Sequence, residues 1–163
     1  KKSEILFDNL QGEYKDARPY SVYKMYSQSK MALVMLTFKM AEMYKNDGIK
    51  VNALQINGAK MSKRTLQKFK PSWRTIAKIQ NIFFPPASYM ANNYFQICTS
   101  NEFQNVTGKL FNDKLQIMQV SPSENLGFIQ SVKQLFGSKY YPIYAHKQEV
   151  SERLWNLCND LTK

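Results

Sequence analysis

Cysteine and histidine are scarce in this 163-residue chain, which holds only Cys98, Cys158 and His146. Two thiols make no disulfide framework, and with one imidazole they cannot complete a zinc site. The cysteines therefore read as half-buried thiols in a reducing compartment, and no metal chemistry is expected. Glycine is scarce too. Gly12, Gly48, Gly58, Gly108, Gly127 and Gly137 never come closer than ten residues apart, which excludes a Gly-rich turn that cradles a phosphate. No apolar run approaches the roughly 18 residues of a membrane span. The polar start at Lys1 offers no secretory signal, so a cytoplasmic location is expected.

Acidic residues are also few: 23 Lys and Arg stand against 12 Asp and Glu, a formal charge of +11. Such a balance suits nucleic acid or a membrane surface. The positives are scattered, however, and the densest stretch (Lys60, Lys63, Arg64, Lys68, Lys70) follows no binding motif. Neither nucleic acid nor a membrane is expected as a partner. What the chain does have is a core: 44% of its residues are hydrophobic and 13% aromatic, which excludes disorder and fibrous classes. The length allows one compact domain or part of a larger one.

Residues 1–22 read as a loop, with Asp8-Asn9 and Gly12 as turn residues. Over 23–47, Tyr26, Lys30, Leu33, Val34, Thr37, Met40, Ala41 and Tyr44 recur at helical spacing, and Asn46-Asp47-Gly48 supplies the stop. Residues 49–56 (IKVNALQI) read as a buried strand. Helix, Gly turn and buried strand in that order suit a parallel α/β sheet. Region 60–86 is basic and contains a helix on which Trp73, Ile76, Ile79, Gln80 and Phe83 share a face, broken by Pro85-Pro86. Region 88–113 holds a helix from Ser88 to Cys98 and a small strand in VTGKLF (Val106 to Phe111), kinked at Gly108. Region 124–163 holds a weaker helix from Glu124 to Phe136 and a tyrosine-rich loop from Tyr140 to His146. It closes on an amphipathic helix through Val150, Leu154, Leu157, Cys158 and Leu161. The fold class is α/β.

Tyr26 and Lys30 stand four apart, one turn along one helix face. A free phenol, with a pKa of about 10, exchanges protons poorly near neutrality, and a neighbouring ammonium favours its phenolate. Such a pair can pass a proton to or from a carbonyl or alcohol oxygen while a hydride moves elsewhere. The structural alternative is a tyrosine at the core edge beside a snorkelling lysine.

The residues around the pair carry a resemblance. YSQSKMA (Tyr26 to Ala32), an apolar helix and GIKVNAL (Gly48 to Leu54) follow one another, with DNLQGE (Asp8 to Glu13) ahead. VTGKLF and the terminal ERLWNLCNDLT (Glu152 to Thr162) come after. In this order the segments resemble the second half of the short-chain dehydrogenases/reductases, closest to the retinol-dehydrogenase-like and bacterial branch. The resemblance implies that Tyr26 is the catalytic general acid/base. It implies that Lys30 makes that phenol a readier proton carrier and hydrogen-bonds the nicotinamide ribose. By the same resemblance, Asn57 and Gly58 form the turn against the nicotinamide, Ser62 touches its carboxamide, and residues 63–84 are the substrate lid. The cofactor implied is NAD or NADP.

The implied fold is the C-terminal half of a doubly wound Rossmann-type parallel sheet, with the first βαβ units missing and residues 1–163 forming a single partial domain. The family's catalytic serine would fall just before Lys1. An NAD(P)-dependent oxidoreductase acting on a small carbonyl or alcohol is thus expected, present as a C-terminal fragment and inactive alone. The alternative is a non-catalytic module docking on a full-length relative through the long helix and exposed strand. Either way the bare strand edges call for a partner, a second copy or a complementary N-terminal polypeptide.

Overall fold

The computed structural model describes residues 4–10, 12, 21–121 and 139–163. The helix expected from Glu124 to Phe136, most of the 1–22 loop, and Gln11 and Glu13 of the DNLQGE segment lie outside the described residues. The architecture is mixed α/β. It divides into two compact units, one of Lys1–Ala53, Val106–Leu110 and Ile117–Lys163, the other of Leu54–Asn105 and Phe111–Gln116.

The first unit is organised by helix α1 (Val22–Met43). Ser21 caps it, its hydroxyl accepting the Lys24 N–H, and the body is free of Gly and Pro. Gly48, at φ 72°, turns the chain off the short 3-10 turn that follows. The helix is buried on two sides, at Thr37 and Ala41 of the recurring set toward its end and at a methionine stripe nearer its middle. Met31 and Met35 are buried at its centre with Gln28, whereas Leu33 is 55% exposed and Tyr26 60% exposed. At 100° per residue the Met31–Met35 stripe lies on roughly the opposite side from Tyr26 and Leu33. The reason is tertiary: helix α5 (Gln148–Leu161) and the turn Ile143–His146 bring Leu154 and Ala145 against the two methionines, with Ile5 closing the cluster. Unbranched thioethers fill such an irregular gap readily.

The strand expected over 49–56 is also corrected. Only Ala53–Leu54 (β1) has strand geometry, and no residue of the eight is buried. Val51 carbonyl accepts the Gly108 N–H and Ala53 N–H donates to Lys109 carbonyl, so donor and acceptor rise together and the strands run parallel. Around Gly108, at φ +67°, side chains replace the ladder. Asn52 donates to Val106 carbonyl and accepts the Lys109 N–H, while Thr107 hydroxyl accepts from Val51 N–H. Strand β2 (Leu110–Phe111) therefore pairs with β1 only beyond this kink. A second parallel pair sets Gln119 of β3 (Gln119–Val120) opposite Tyr140 of β4 (Tyr140–Tyr141). Among the described residues there is no larger sheet.

The second unit carries helices α2 (Lys63–Gln67), α3 (Pro71–Phe83) and α4 (Ala87–Thr99). Pro71 opens α3, where a missing N–H costs nothing. Its small core includes Ala77, Met90 and Phe103, whose ring meets the fully buried Phe111 edge-on at 5.2 Å. Asn93 and Tyr89 both donate to Asp113 carbonyl, which fastens α4 to the 111–116 segment.

Candidate functional site

Tyr26 and Lys30 occupy the outer face of α1's first half. The Lys30 ammonium lies 5.4 Å from the Tyr26 ring centroid, over the ring face, an arrangement in which the cation is drawn to the π cloud. Both side chains are exposed, so water screens the ammonium's charge. Ser29 is spent on the helix itself, its hydroxyl donating to Tyr26 carbonyl at 2.8 Å.

Tyr26 also lines an open cleft of about 470 Å³ with Ile5, Leu10, Val22, Met25, Gln28, Ser29 and Ala32. One wall is held by Gln28, a residue the sequence reading passed over. Its buried side-chain oxygen accepts the Leu6 N–H at 2.8 Å and pins the N-terminal segment across the helix. Ile5 N–H donates to the Tyr144 hydroxyl and Arg153 stacks on Phe7 at 4.2 Å, so the same segment is fixed from three sides. A polar residue seven before Met35 and three before Met31 was the available signal, because that spacing shares a buried face.

The remaining expected positions, Asn57, Gly58 and Ser62, belong to the second unit, whereas Tyr26 and Lys30 belong to the first. Two of them have evident local duties. Ser62 caps α2, its hydroxyl accepting the Thr65 N–H at 3.1 Å. Gly58 leaves room for Phe84: a Cβ there would stand 2.8 to 3.0 Å from three atoms of that ring. Asn57 is exposed.

Of the two thiols, Cys158 is half-buried and Cys98 is exposed, which corrects the expectation of two half-buried thiols. His146 is engaged structurally, stacked on Phe38 at 5.2 Å and sharing a hydrogen bond with the Tyr141 hydroxyl. Burial raises the Tyr141 pKa above its ordinary value. The Lys39 ammonium, bonded to Glu152 of α5, has its pKa raised chiefly by that hydrogen bond. Among the described residues no group of His, Cys, Asp or Glu could hold a metal ion, and no helix is long and apolar enough to cross a membrane.

Comparison with family models, curated proteins and solved structures finds no match.

Proposed function

We propose that the chain is the C-terminal part of an NAD(P)-dependent oxidoreductase of short-chain dehydrogenase type, acting on a carbonyl or alcohol. In this reading Tyr26 exchanges the proton at the substrate oxygen, and Lys30 steadies the phenolate and bonds the nicotinamide ribose. The cofactor supplies or accepts the hydride. The observation that carries the reading is the pairing of phenol and ammonium on one helix face, with Tyr26 among the residues that line an open cleft of about 470 Å³.

Exposure supports the fragment part of the proposal. Val22, Tyr23, Tyr26 and Leu33 form an arc on α1 and are 55% exposed or more. A covering polypeptide would exclude water there and strengthen the ammonium's field at the phenol. The β1–β2 pair would extend into a doubly wound Rossmann-type sheet with strands from that same polypeptide.

Two measurements test this. The isolated chain should show no tight NAD(P)H binding by fluorescence titration. Joined to an N-terminal half bearing a Gly-rich strand–turn–helix, it should reduce or oxidise a small carbonyl or alcohol, and Tyr26→Phe should abolish turnover. Turnover unchanged by Tyr26→Phe refutes the assignment. The same exposed arc favours a second reading, a non-catalytic module that docks on a full-length relative through α1. Lys30→Met separates the two, since it spares docking and damages catalysis.

A further inference from the structure

Helix α3 is built inside out. Its buried side is small and polar: Ala77 is 5% exposed, Asn81 clamps both the N–H and the carbonyl of Met61, and Arg74 donates to the carbonyls of Gln67 and Phe69. Its outer side is mostly apolar, Ser72 and Gln80 being the polar residues there. Trp73, Ile76, Ile79 and Phe83 fall within about a third of the helix circumference and are 61%, 47%, 55% and 81% exposed. Large apolar side chains gathered on one exposed face mark a contact surface.

The surrounding charge says what kind of surface fits. From Gly48 to Asn101 the chain contains no Asp or Glu. Within that span Lys60, Lys63, Arg64, Lys68, Lys70 and Lys78 are all exposed, four of them on or just after α2, directly ahead of α3. A second copy of the chain would bring the same positive charge to the contact and be repelled. An anionic lipid surface attracts the bases and takes up the apolar face. A Trp/Phe/Ile face beside Lys and Arg is the composition of helices that lie in a bilayer interface.

We propose that α3, with the basic segment before it, docks the protein onto anionic membrane surfaces, laying Trp73, Ile76, Ile79 and Phe83 into the headgroup boundary. The positive charge follows no binding motif, and among the described residues no helix is long and apolar enough to cross a membrane. Lying on a bilayer demands neither a motif nor a span, only an exposed apolar face with cations beside it. The segment falls within residues 63–84, the lid in the oxidoreductase proposal, but vesicle binding is read without turnover and stands or falls separately.

Vesicle sedimentation tests it, using the full chain with Trp155→Phe so that Trp73 is the one tryptophan. Phosphatidylcholine vesicles containing about one-third phosphatidylserine should retain the protein and shift Trp73 emission to the blue, with retention falling as salt rises. Pure phosphatidylcholine should bind at least about tenfold more weakly, and Ile79→Asp or Phe83→Ser should each cost at least about tenfold on the anionic vesicles. Leu161→Asp, at an exposed position at the end of α5, should bind as the parent does. These sites are exposed, and unchanged circular dichroism verifies that the variants fold. No retention on the anionic vesicles, or retention indifferent to Ile79→Asp and Phe83→Ser, overturns the proposal. So does light scattering that shows a dimer broken by Ile79→Asp in a protein that vesicles do not retain.

Discussion

Met35→Ala isolates the claim that α1 buries its methionine face. Met35 is fully buried, at 0% exposure, and sits in one cluster with Met31, Ile5, Ala145 and Leu154. Truncation removes three heavy atoms from that cluster and leaves a hole that the surroundings close only partly. Buried Met→Ala changes of this kind cost about 2–5 kcal/mol. Alanine's better helix propensity returns only a few tenths of a kcal/mol, roughly, so packing decides the sign. For a chain of this size that corresponds to a melting temperature about 5–15 °C lower.

Each unit carries one tryptophan, Trp155 in the first and Trp73 in the second. In a Trp73→Phe background, urea denaturation followed by Trp155 fluorescence reads the first unit alone. The matched control is Leu33→Ala on the same helix, where 55% exposure limits the loss to about 1 kcal/mol or less. Equal costs at Met35 and Leu33, or a larger one at Leu33, would refute the packing described for α1.

Further outcomes follow from other contacts. Gly58→Ala should destabilise the second unit by about 1–3 kcal/mol through overpacking against Phe84, and Phe84→Ala in the same chain should remove the clash. Thermal melts of the two single variants and the double variant decide it by their coupling. Asn52→Ala should cost about 1–3 kcal/mol, because Val106 carbonyl and Lys109 N–H lose their partner together, and amide exchange at Lys109 should accelerate. Stability should also fall at alkaline pH. Lys39 is raised above its ordinary 10.5, so its contribution is whole below that value and disappears as pH climbs through the folded-state pKa. Tyr141, raised above 10.0, adds to the same loss, because the unfolded chain sheds its proton first. Denaturation midpoints between about pH 9 and 11.5 should fall, and Glu152→Gln should flatten the decline.

Local chemistry was legible in the sequence wherever neighbours in the chain determine the structure. The stop at Gly48, the break at Pro85-Pro86, helix α4 and the terminal helix stand within a few residues of where turn residues and periodicity place them. The shared face of Trp73, Ile76, Ile79 and Phe83 was legible too, but not that it points outward. Periodicity reports that a stripe exists, and only tertiary contacts report what covers it. For the same reason the burial of Met31 and Met35 was not legible: the residues that cover them, Leu154 and Ala145, lie more than a hundred positions away. The short β1 was hidden because Asn52 and Thr107 take ladder positions with their side chains, which no alternation of apolar residues signals. At the candidate site, the i, i+4 spacing of Tyr26 and Lys30 was readable. Gln28's hold on Leu6 was not, since a polar side chain at a buried position has no partner visible in one dimension.

The first unit is assembled from three stretches of sequence, with Leu54–Asn105 and Phe111–Gln116 intervening. Its order of synthesis is therefore unlike its order of packing. On the ribosome, α1 emerges with Met31 and Met35 bare and waits for more than a hundred further residues before Ala145 and Leu154 can cover them. During that interval the nascent chain offers an oily thioether stripe to chaperones and oxidants alike. Trapping of α1 should cease once the segment bearing Leu154 clears the exit tunnel.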